Sequence, residues 1–291
     1  MGAQWIHGQG QNPVYKLALK HGLTEEAADE GREWQQWEDK FYFQDGSTVA
    51  EEVVKETCLV FDDISSEAER FAREKVPLAD SSLAIGEFAQ QLFEDHLTTG
   101  ADSDRVRHQK EALFQWRMSM EKTENGCPGL HDLSLYSWGE YMEFDGSEEV
   151  ELKRGYQPII DVLLEDTPKD AFVLNTKVER ILWSSDSQLS LRHSYPIQVE
   201  TSSGNTFGAD YVIVTCSLGF LKKNAATLFE PSLPAEKIEA IDRIGFGTVN
   251  KIYLQFDQPF WDKDTTGMQL LWDQSQSFYL NCLDNKDATQ V

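Results

Sequence analysis

Residues 211–221 read YVIVTCSLGFL, an apolar run interrupted by Thr215, Ser217 and Gly219. The first five residues, Tyr211 to Thr215, are all β-branched or aromatic, a composition typical of a short strand. The run is well below the ~20 apolar residues that span a bilayer, so it predicts no membrane span. We therefore expect a strand here, followed by a turn.

Three earlier runs share this strand-like character, and turn-forming residues such as Ser202-Ser203-Gly204-Asn205 separate them. They are Val173 to Val178, Arg180 to Ser184 and Ile197 to Thr201. From about Val53 to Lys122, apolar residues instead recur at every third or fourth position, which predicts helices. A helix-rich block before a strand-rich block indicates an inserted domain rather than two consecutive domains.

The length and charge of the chain limit its domain number and the partners that it can bind. At 291 residues it exceeds the roughly 100 to 200 residues of one domain, so one large or two interleaved domains are expected. Asp and Glu number 50 against 26 Lys and Arg, a formal net charge of -24. Such a surface repels nucleic acids and anionic membranes, so we expect neither as a partner and favour a cationic one. Because acidity also serves solubility alone, the charge permits a cationic ligand without requiring it.

The cysteines and the first residues of the chain bear on its compartment. Cys58, Cys127, Cys216 and Cys282 lie far apart and form no CxxC pair. This spacing fits neither a zinc site nor a small disulfide-bonded scaffold, and it is typical of reduced intracellular thiols. No basic region followed by an apolar stretch is present, so no secretory signal is predicted. We expect a cytoplasmic protein that binds no metal.

Self-contained catalytic motifs are absent from the sequence. It contains no Walker A loop, no HExxH, no GxSxG and no pair of histidines at ligand spacing. Gly8-Gln9-Gly10 and Gly245-Phe246-Gly247 lack the third glycine of GxGxxG and the flanking strand and helix in the required order. We interpret both as turns.

The stretch from Val249 to Phe256 alternates in the way that predicts a strand. Three apolar residues, Ile252, Leu254 and Phe256, fall on one face, and Lys251 falls on the other face in mid-strand. Judged on these residues alone, Lys251 is a solvated strand residue that needs no special explanation.

Three segments, met in the same order along the chain, resemble one family. The first is GAQWIHG at residues 2–8, and the second joins SWGEY at 137–141 to LKRGY at 152–156. The third and most specific runs from VTCSLGFL at 214–221 to GFGTVNK at 245–251. Together they resemble the flavin-containing amine oxidases, and among these the animal polyamine oxidases of the spermine oxidase kind.

The resemblance implies an α/β plus α+β fold. In it, a partial Rossmann-like FAD-binding domain is interleaved with a helical and mixed-sheet substrate domain. Residues 1–30 and 151–230 would be the segments of the FAD domain. Residues 31–150 would form the helical part of the substrate domain, and residues 231–291 its sheet part. FAD would be the cofactor.

The same resemblance implies which residues contact FAD. They are Gly2, Ala3, Trp5, Val178, Thr215 and Leu218. In relatives the glycine-rich backbone of the first segment passes close to the flavin, and Trp5 would pack against the cofactor. Val178 matches a position whose backbone contacts the adenine end, and Thr215 and Leu218 match residues that line the flavin side. As a bare valine in a strand, Val178 would instead be a core residue.

Lys251 is the residue that the resemblance marks as catalytic, because a lysine at this position holds a water near flavin N5 in relatives. A desolvated lysine has a lowered pKa and a fixed donor, which suits that role. His7 and Glu140 would bind substrate, the histidine facing the substrate tunnel and the carboxylate pairing with a protonated amine among aromatic rings. Glu143 is a rival for the role of Glu140. A structural histidine and a solvated glutamate are the alternatives.

Relatives begin with a strand, GxGxxG and helix that hold the FAD pyrophosphate, and they end with a segment that covers the flavin. Because neither pattern is found in this sequence, we expect a chain without its two flavin-holding ends. The predicted reaction is FAD-dependent oxidation of spermine or an acetylated polyamine by O2, giving an aldehyde, a shorter amine and hydrogen peroxide. The alternatives are an inactive polyamine-binding or partner-binding module and, less well matched, a histone-lysine demethylase.

Overall fold

The computed structural model describes residues 5–24, 39–74, 83–140, 150–183, 195–247, 249–263, 265 and 267–272. Its helices are α1 Pro13–Lys20, α2 Glu51–Glu74, α3 Ile85–Thr99, α4 Asp104–Glu124, α5 Gln157–Glu165, α6 Leu218–Leu228 and α7 Ala235–Arg243. Its strands are β1 Trp5–Ile6, β2 Lys40–Phe43, β3 Val150–Glu151, β4 Val178–Trp183, β5 Ile197–Thr201, β6 Thr206–Ala209, β7 Phe229–Glu230 and β8 Met268–Leu271. Short 3-10 turns occupy Leu130–Asp132, Leu135–Ser137 and Lys169–Ala171. The long helices precede the main run of strands, as the sequence predicts.

The chain divides into two compact units, each built from separate stretches of sequence. Unit 1 contains residues 1–6, 13–25 and 149–246, and unit 2 contains residues 7–12, 26–148 and 247–291. Helix α7 belongs to unit 1, whereas the sequence placed it with the residues that follow it. The roles assigned to the segments, one set for FAD and one for substrate, stay predictions.

Unit 1 is centred on a four-stranded mixed sheet with the order β6-β5-β4-β7. Strand β4 pairs antiparallel with β5 and parallel with β7, and β5 pairs antiparallel with β6. The turn predicted between β5 and β6 is present, and Gly204 adopts the positive φ (+81°) that favours glycine there. Helix α6 packs against β4 and β7 and buries Ala225 and Leu228.

A separate cluster in unit 1 joins α1 and α5 to the antiparallel pair of β1 and β3. In that pair Ile6 lies opposite Val150. Pro13 begins α1, and Gly22, at φ +64°, follows its last turn, where glycine is favoured. The buried side chains of the cluster are Ile6, Tyr15, Ala18, Leu23, Val150, Leu152 and Ile159.

Unit 2 contains the long helices α2, α3 and α4, which pack together through apolar stripes. Phe93 of α3 stacks on Phe114 of α4 with ring centroids 4.0 Å apart, and Phe61 of α2 lies 6.0 Å from Phe114. Ser103 caps α4, since its Oγ accepts a hydrogen bond from the Val106 backbone N–H at 3.4 Å. The helices predicted from the three- and four-residue spacing are confirmed.

Unit 2 also contains a parallel pair, β2 and β8, that joins residues far apart in the sequence. Phe41 of β2 and Leu271 of β8 are buried with Val54 of α2 in one cluster. Trp116 of α4 meets the Phe41 ring edge-on at 4.8 Å and donates a 2.9 Å hydrogen bond to Gln269. A turn follows β2, and the strand partner of β2 is β8, a pairing that the sequence did not indicate.

Three stretches predicted as strands have no regular secondary structure: residues 173–177, 211–215 and 249–256. A strand is stable only when its backbone N–H and C=O groups join a ladder, and none of the sheets among the described residues includes these stretches. Their side chains are correspondingly accessible, as in Tyr211 and Ile252, which are 89% and 84% exposed. The prediction that Lys251 lies in mid-strand is therefore wrong for the described structure.

No described helix is both long enough and apolar enough to cross a membrane. Cys58, Cys127 and Cys216 are free thiols, and Cys282 lies outside the described residues. Burial raises the pKa of the Cys58 thiol to about 11, so this thiol is unreactive at neutral pH. Among the residues that the structure describes, no three His, Cys, Asp or Glu side chains are grouped as metal ligands.

Candidate functional site

The residues predicted to contact the cofactor fall in unit 1. Trp5 lies half-buried in β1, and its carbonyl oxygen accepts a 2.8 Å hydrogen bond from the Tyr156 hydroxyl. Burial raises the pKa of Tyr156, so the phenol stays a neutral donor at physiological pH. This bond ties the first strand to the residue before α5. Gly2 and Ala3 lie outside the described residues.

Val178 is the first residue of β4 and lies opposite Thr201 of β5. The register of the two strands shifts between Val178 and Arg180, which marks a β-bulge. The Ser202 backbone N–H donates to the Lys177 carbonyl at 3.0 Å and closes this end of the pair. Val178 is half-buried rather than a full core residue, so part of it is accessible to a bound group.

Thr215 and Leu218 flank the start of α6. Leu218 is the first residue of the helix, and Ser217 caps it by accepting a 3.2 Å hydrogen bond from the Phe220 backbone N–H. Thr215 is exposed before the cap, whereas Leu218 is half-buried. The predicted turn is thus the entry into a helix that sequence reasoning missed. Ser217, a preferred N-cap residue, was the available signal.

Gly219, in the first turn of α6, packs closely against the ring of Phe246. A Cβ at this position would overlap the ring of Phe246. Nearby in the sequence, Tyr211 and Ile213 are largely exposed. A flavin needs apolar side chains for its rings and backbone groups for its polar edge. The exposed apolar residues and the backbone before α6 offer groups of both kinds. The contacts of Trp5, Val178, Thr215 and Leu218 with FAD stay predictions.

His7 lies in the short loop at residues 7–12 of unit 2. The Asn12 side chain donates a 2.8 Å hydrogen bond to the His7 carbonyl oxygen, which closes the loop. Gly8 is buried with φ +72°, a conformation that favours glycine, and the predicted turn is present. The imidazole is exposed, as a contact with substrate requires.

Lys251 is exposed in the irregular stretch 249–256 of unit 2. The burial expected for a catalytic lysine is therefore not seen among the described residues. Its catalytic role stays a prediction.

Glu140 is exposed at the end of residues 134–140 in unit 2. The indole Nε1–H of Trp138 donates a 3.2 Å hydrogen bond to Ser65 Oγ, which ties this stretch to α2. Of the aromatic residues expected around the carboxylate, Tyr136 is half-buried. Tyr141, Phe144 and the rival carboxylate Glu143 lie outside the described residues.

A cavity of about 350 Å³ opens in unit 2 beside the end of β2. It is lined by Phe43, Gln44, Asp45, Ser47, Arg105, His108, Gln109 and Leu271. The His108 ring stacks on Phe43 at 5.7 Å, and hydrogen bonds from Ser47 hold the pKa of Asp45 below its usual range. Neither His7 nor Glu140 nor Lys251 lines the cavity, so it is not the predicted substrate site.

Two charged clusters inside unit 2 were not predicted. The Lys110 ammonium lies 2.6 Å from Glu56 and 2.8 Å from Asp102, and Arg117 lies 2.9 Å from Glu121. The available signal was that Lys110 stands three and four residues before the buried Leu113 and Phe114, on the apolar stripe of α4.

The chain matches the family described as "Flavin containing amine oxidoreductase" over residues 1–289. It is 33% identical over 285 residues to the Bos taurus "Peroxisomal N(1)-acetyl-spermine/spermidine oxidase". This match covers 94% of this chain and 54% of the bovine protein. It is 29% identical over 312 residues to the Arabidopsis thaliana "Probable polyamine oxidase 5", which covers 95% of this chain and 55% of the plant protein.

A histone demethylase is also similar to the chain. The Homo sapiens "Lysine-specific histone demethylase 2" is 26% identical over 272 residues, covering 91% of this chain and 30% of the human protein. This identity is lower than that of the two oxidases. The chain spans about half the length of the polyamine oxidases that it matches.

Proposed function

The chain belongs to the family of flavin containing amine oxidoreductases, and from this premise we propose that it takes part in FAD-dependent oxidation of a polyamine. The substrate would be spermine or an acetylated polyamine, oxidised by O2 to an aldehyde and a shorter amine with release of hydrogen peroxide. The observation that carries the proposal is the similarity, along nearly the whole chain, to oxidases named for polyamines.

We assign the two units to the two tasks. Unit 1 would be the FAD-binding, Rossmann-like part. The residues at the cofactor would be Gly2, Ala3, Trp5, Val178, Thr215 and Leu218. The parallel pairing of β4 with β7 and the accessible start of α6 support this assignment. Unit 2 would be the substrate domain. The two are interleaved in sequence, since each unit consists of separate stretches.

The proposed roles of individual residues follow from their chemistry. When bound, FAD supplies the two-electron acceptor for the carbon–hydrogen bond next to the amine. The Lys251 ammonium would donate a hydrogen bond to a water and hold it at the reacting centre. The His7 imidazole would exchange a proton with an amine of the substrate. The Glu140 carboxylate would pair with a distant ammonium group and so orient the substrate.

The net charge of -24 supports a cationic substrate. An acidic surface raises the local concentration of cations and speeds their encounter with the protein. The same charge opposes nucleic acid and anionic membranes as partners.

Absorbance spectroscopy tests the proposal. The purified 291-residue protein is incubated with excess FAD, freed of unbound flavin and mixed anaerobically with spermine. We expect a retained flavin band that bleaches with spermine. Lys251→Met should keep the band but bleach at least about tenfold more slowly, because it removes a donor at the reacting centre. Lys237→Met, an exposed lysine of α7, is the control and should bleach like the wild-type protein.

Failure to retain flavin would contradict the oxidase proposal for this chain. The result would favour the second candidate, a polyamine-binding or partner-binding module without turnover. The exposed apolar residues Tyr211, Ile213, Ile252 and Leu254 are the observation behind this candidate, because such residues mark interaction surfaces. Binding of spermine without flavin would then support it.

We also propose a cytoplasmic location, on the basis of the sequence composition. The bovine relative carries the word "Peroxisomal" in its name, so the competing outcome is a peroxisomal location. Imaging of the tagged protein together with a peroxisomal marker distinguishes the two.

A further inference from the structure

Residues 134–140 of unit 2 are held on the helices by their backbone. Ser134 forms an antiparallel bridge with Ala84, and the Leu135 backbone N–H donates to the Leu83 carbonyl at 3.1 Å. The Leu135 side chain is buried with Ala68 of α2. The stretch is therefore fixed at its first residues, although its last residue, Glu140, is exposed.

Trp138 provides a second attachment, this time through its side chain. Its indole packs against the cluster that includes Ala68 and Leu135, and its Nε1–H donates to Ser65 Oγ at 3.2 Å. Because the indole has only this one donor, the bond fixes the ring relative to α2. Trp138 thus fixes the backbone two residues before the carboxylate of Glu140.

Position 139 requires a glycine for two separate reasons. Its φ of +82° is a conformation that side chains other than glycine rarely adopt. In addition, a Cβ at Gly139 would lie 2.9 Å from Cγ and 3.4 Å from Cβ of Glu69, too close to the side chain on α2. A side chain at position 139 therefore requires Glu69 or the backbone of residue 139 to shift, and a shift of this backbone would displace Glu140.

We propose that Trp138 and Gly139 are positioning residues that hold the Glu140 carboxylate for an ammonium group of the polyamine. The Glu140 backbone N–H donates to the Ser137 carbonyl at 3.2 Å, so the backbone is fixed while the carboxylate stays exposed. This inference rests on the proposed function, since it assumes that Glu140 binds the substrate. It adds that the binding depends on the fit of the stretch against Ser65 and Glu69 of α2.

Calorimetric titration of the full chain with spermine tests the inference. Salt at about 150 mM screens unspecific attraction to the acidic surface. Glu140→Gln should bind about tenfold more weakly than wild type, as expected for one lost charge contact. Gly139→Ala should bind about as weakly, because it displaces the same carboxylate.

The matched control is Gly46→Ala. Gly46 has φ +79°, close to that of Gly139, but a Cβ there meets nothing within 4 Å. Both variants therefore carry the same backbone strain, and only Gly139→Ala adds the collision with Glu69. Gly46→Ala should lose similar thermal stability and keep its spermine affinity within about twofold.

A rescue variant separates positioning from general damage. Glu69→Ala removes the Cγ atom that a side chain at position 139 would meet, so Glu69→Ala with Gly139→Ala should recover most of the wild-type affinity. Trp138→Phe keeps an aromatic ring but lacks the donor to Ser65, and we expect it to weaken binding about threefold.

The outcomes are distinguishable. If wild type binds no spermine, the proposed function and this inference both fail. If Glu140→Gln weakens binding but Gly139→Ala and Trp138→Phe do not, the inference alone fails. If Gly139→Ala unfolds the chain, the spermine affinities of the double variant and of Trp138→Phe test the inference instead. The positioning role is overturned if Trp138→Phe binds spermine like wild type and the double variant does not recover the wild-type affinity.

Discussion

Glu121 is a carboxylate of α4 whose side chain is only 8% exposed. Arg117 Nη1 lies 2.9 Å from Glu121 Oε1, yet Arg117 Nε and Nη1 make no hydrogen bond within the part of the chain that is described. The contact is therefore an ion pair without a hydrogen bond. Burial raises the pKa of Glu121 to about 7, and attraction to Arg117 opposes this only in part. Repulsion from Glu124 and Asp62 raises it further.

Glu121→Gln should reduce the pH dependence of stability. The unfolded carboxyl ionises near its ordinary pKa of 4.5 and the folded one near 7, so stability falls as the pH rises between these values. The amide does not ionise. We therefore expect the variant to gain on the order of 2 kcal/mol relative to wild type between about pH 5 and pH 8, measured by urea unfolding.

The control for this prediction is Glu124→Gln. Glu124 is 51% exposed on the same helix, 4.0 Å from Arg117, so its replacement removes the same charge from solvent rather than from the interior. Because this change removes only a minor cause of the raised pKa of Glu121, the stability of Glu124→Gln should run nearly parallel to that of wild type across the pH range. A parallel course for Glu121→Gln as well would contradict the prediction.

Lys110 is a second buried charge, with 4% of its side chain exposed. Burial by itself lowers the pKa of Lys110, but its hydrogen bonds to Asp102 and Glu56 outweigh that effect and leave the pKa above its ordinary value. The ammonium thus neutralises two carboxylates from α2 and from the turn before α4.

Lys110→Met should destabilise the chain by about 3 kcal/mol, because it leaves two carboxylates without their buried cation. Arg107→Met is the comparison on the same helix. Arg107 is 48% exposed and pairs with Glu111 at 3.3 Å, so its loss should cost about 0.5 kcal/mol or less. Urea unfolding measures both, and equal losses in the two variants would show that Lys110 is no more than a surface ion pair.

At the scale of elements, local patterns were predictable and distant pairings were not. The periodicity from Val53 to Lys122 predicts α2, α3 and α4, because each helix forms hydrogen bonds within itself. The pairing of β2 with β8 has no local signal, since the partners are far apart in the sequence. Residues 211–215 and 249–256 show the reverse case. Their composition is typical of strands, but no sheet among the described residues includes them.

Helix α6 depends on its cap, and Ser217→Ala tests this. The Ser217 Oγ satisfies the Phe220 backbone N–H at 3.2 Å, so removing the hydroxyl should destabilise unit 1 by about 1 kcal/mol. Ser217→Asp keeps an acceptor at the cap and should retain wild-type stability. Thermal unfolding followed by circular dichroism measures both, with the exposed Ser232→Ala as a neutral control. Equal melting of Ser217→Ala and Ser232→Ala would mean that the cap contributes nothing.

For the whole molecule, the family was predictable because three short segments retain its motifs in order. The candidate site was less predictable from the sequence. The described cofactor residues Trp5, Val178, Thr215 and Leu218 all fall in unit 1, and the residues proposed for substrate all fall in unit 2. The surroundings of these residues depend on burial and on pairing between distant strands, which no local pattern specifies. The roles of His7, Glu140 and Lys251 accordingly rest on the family rather than on geometry.

The net charge of the whole molecule predicts how its stability responds to salt. With 50 acidic and 26 basic residues, the folded chain concentrates a charge of -24 that the unfolded chain spreads out. Raising NaCl from about 10 mM to about 100 mM shortens the screening length from ~30 Å to ~10 Å and should weaken this repulsion. Surface pairs such as Arg180 with Glu200 are weakened too, but each contributes little. We therefore expect the urea midpoint to rise with NaCl and equally with KCl, because screening depends on ionic strength rather than on the ion. A falling midpoint would mean that attractive pairs, including the buried ones around Lys110, outweigh the repulsion of the excess acidic residues.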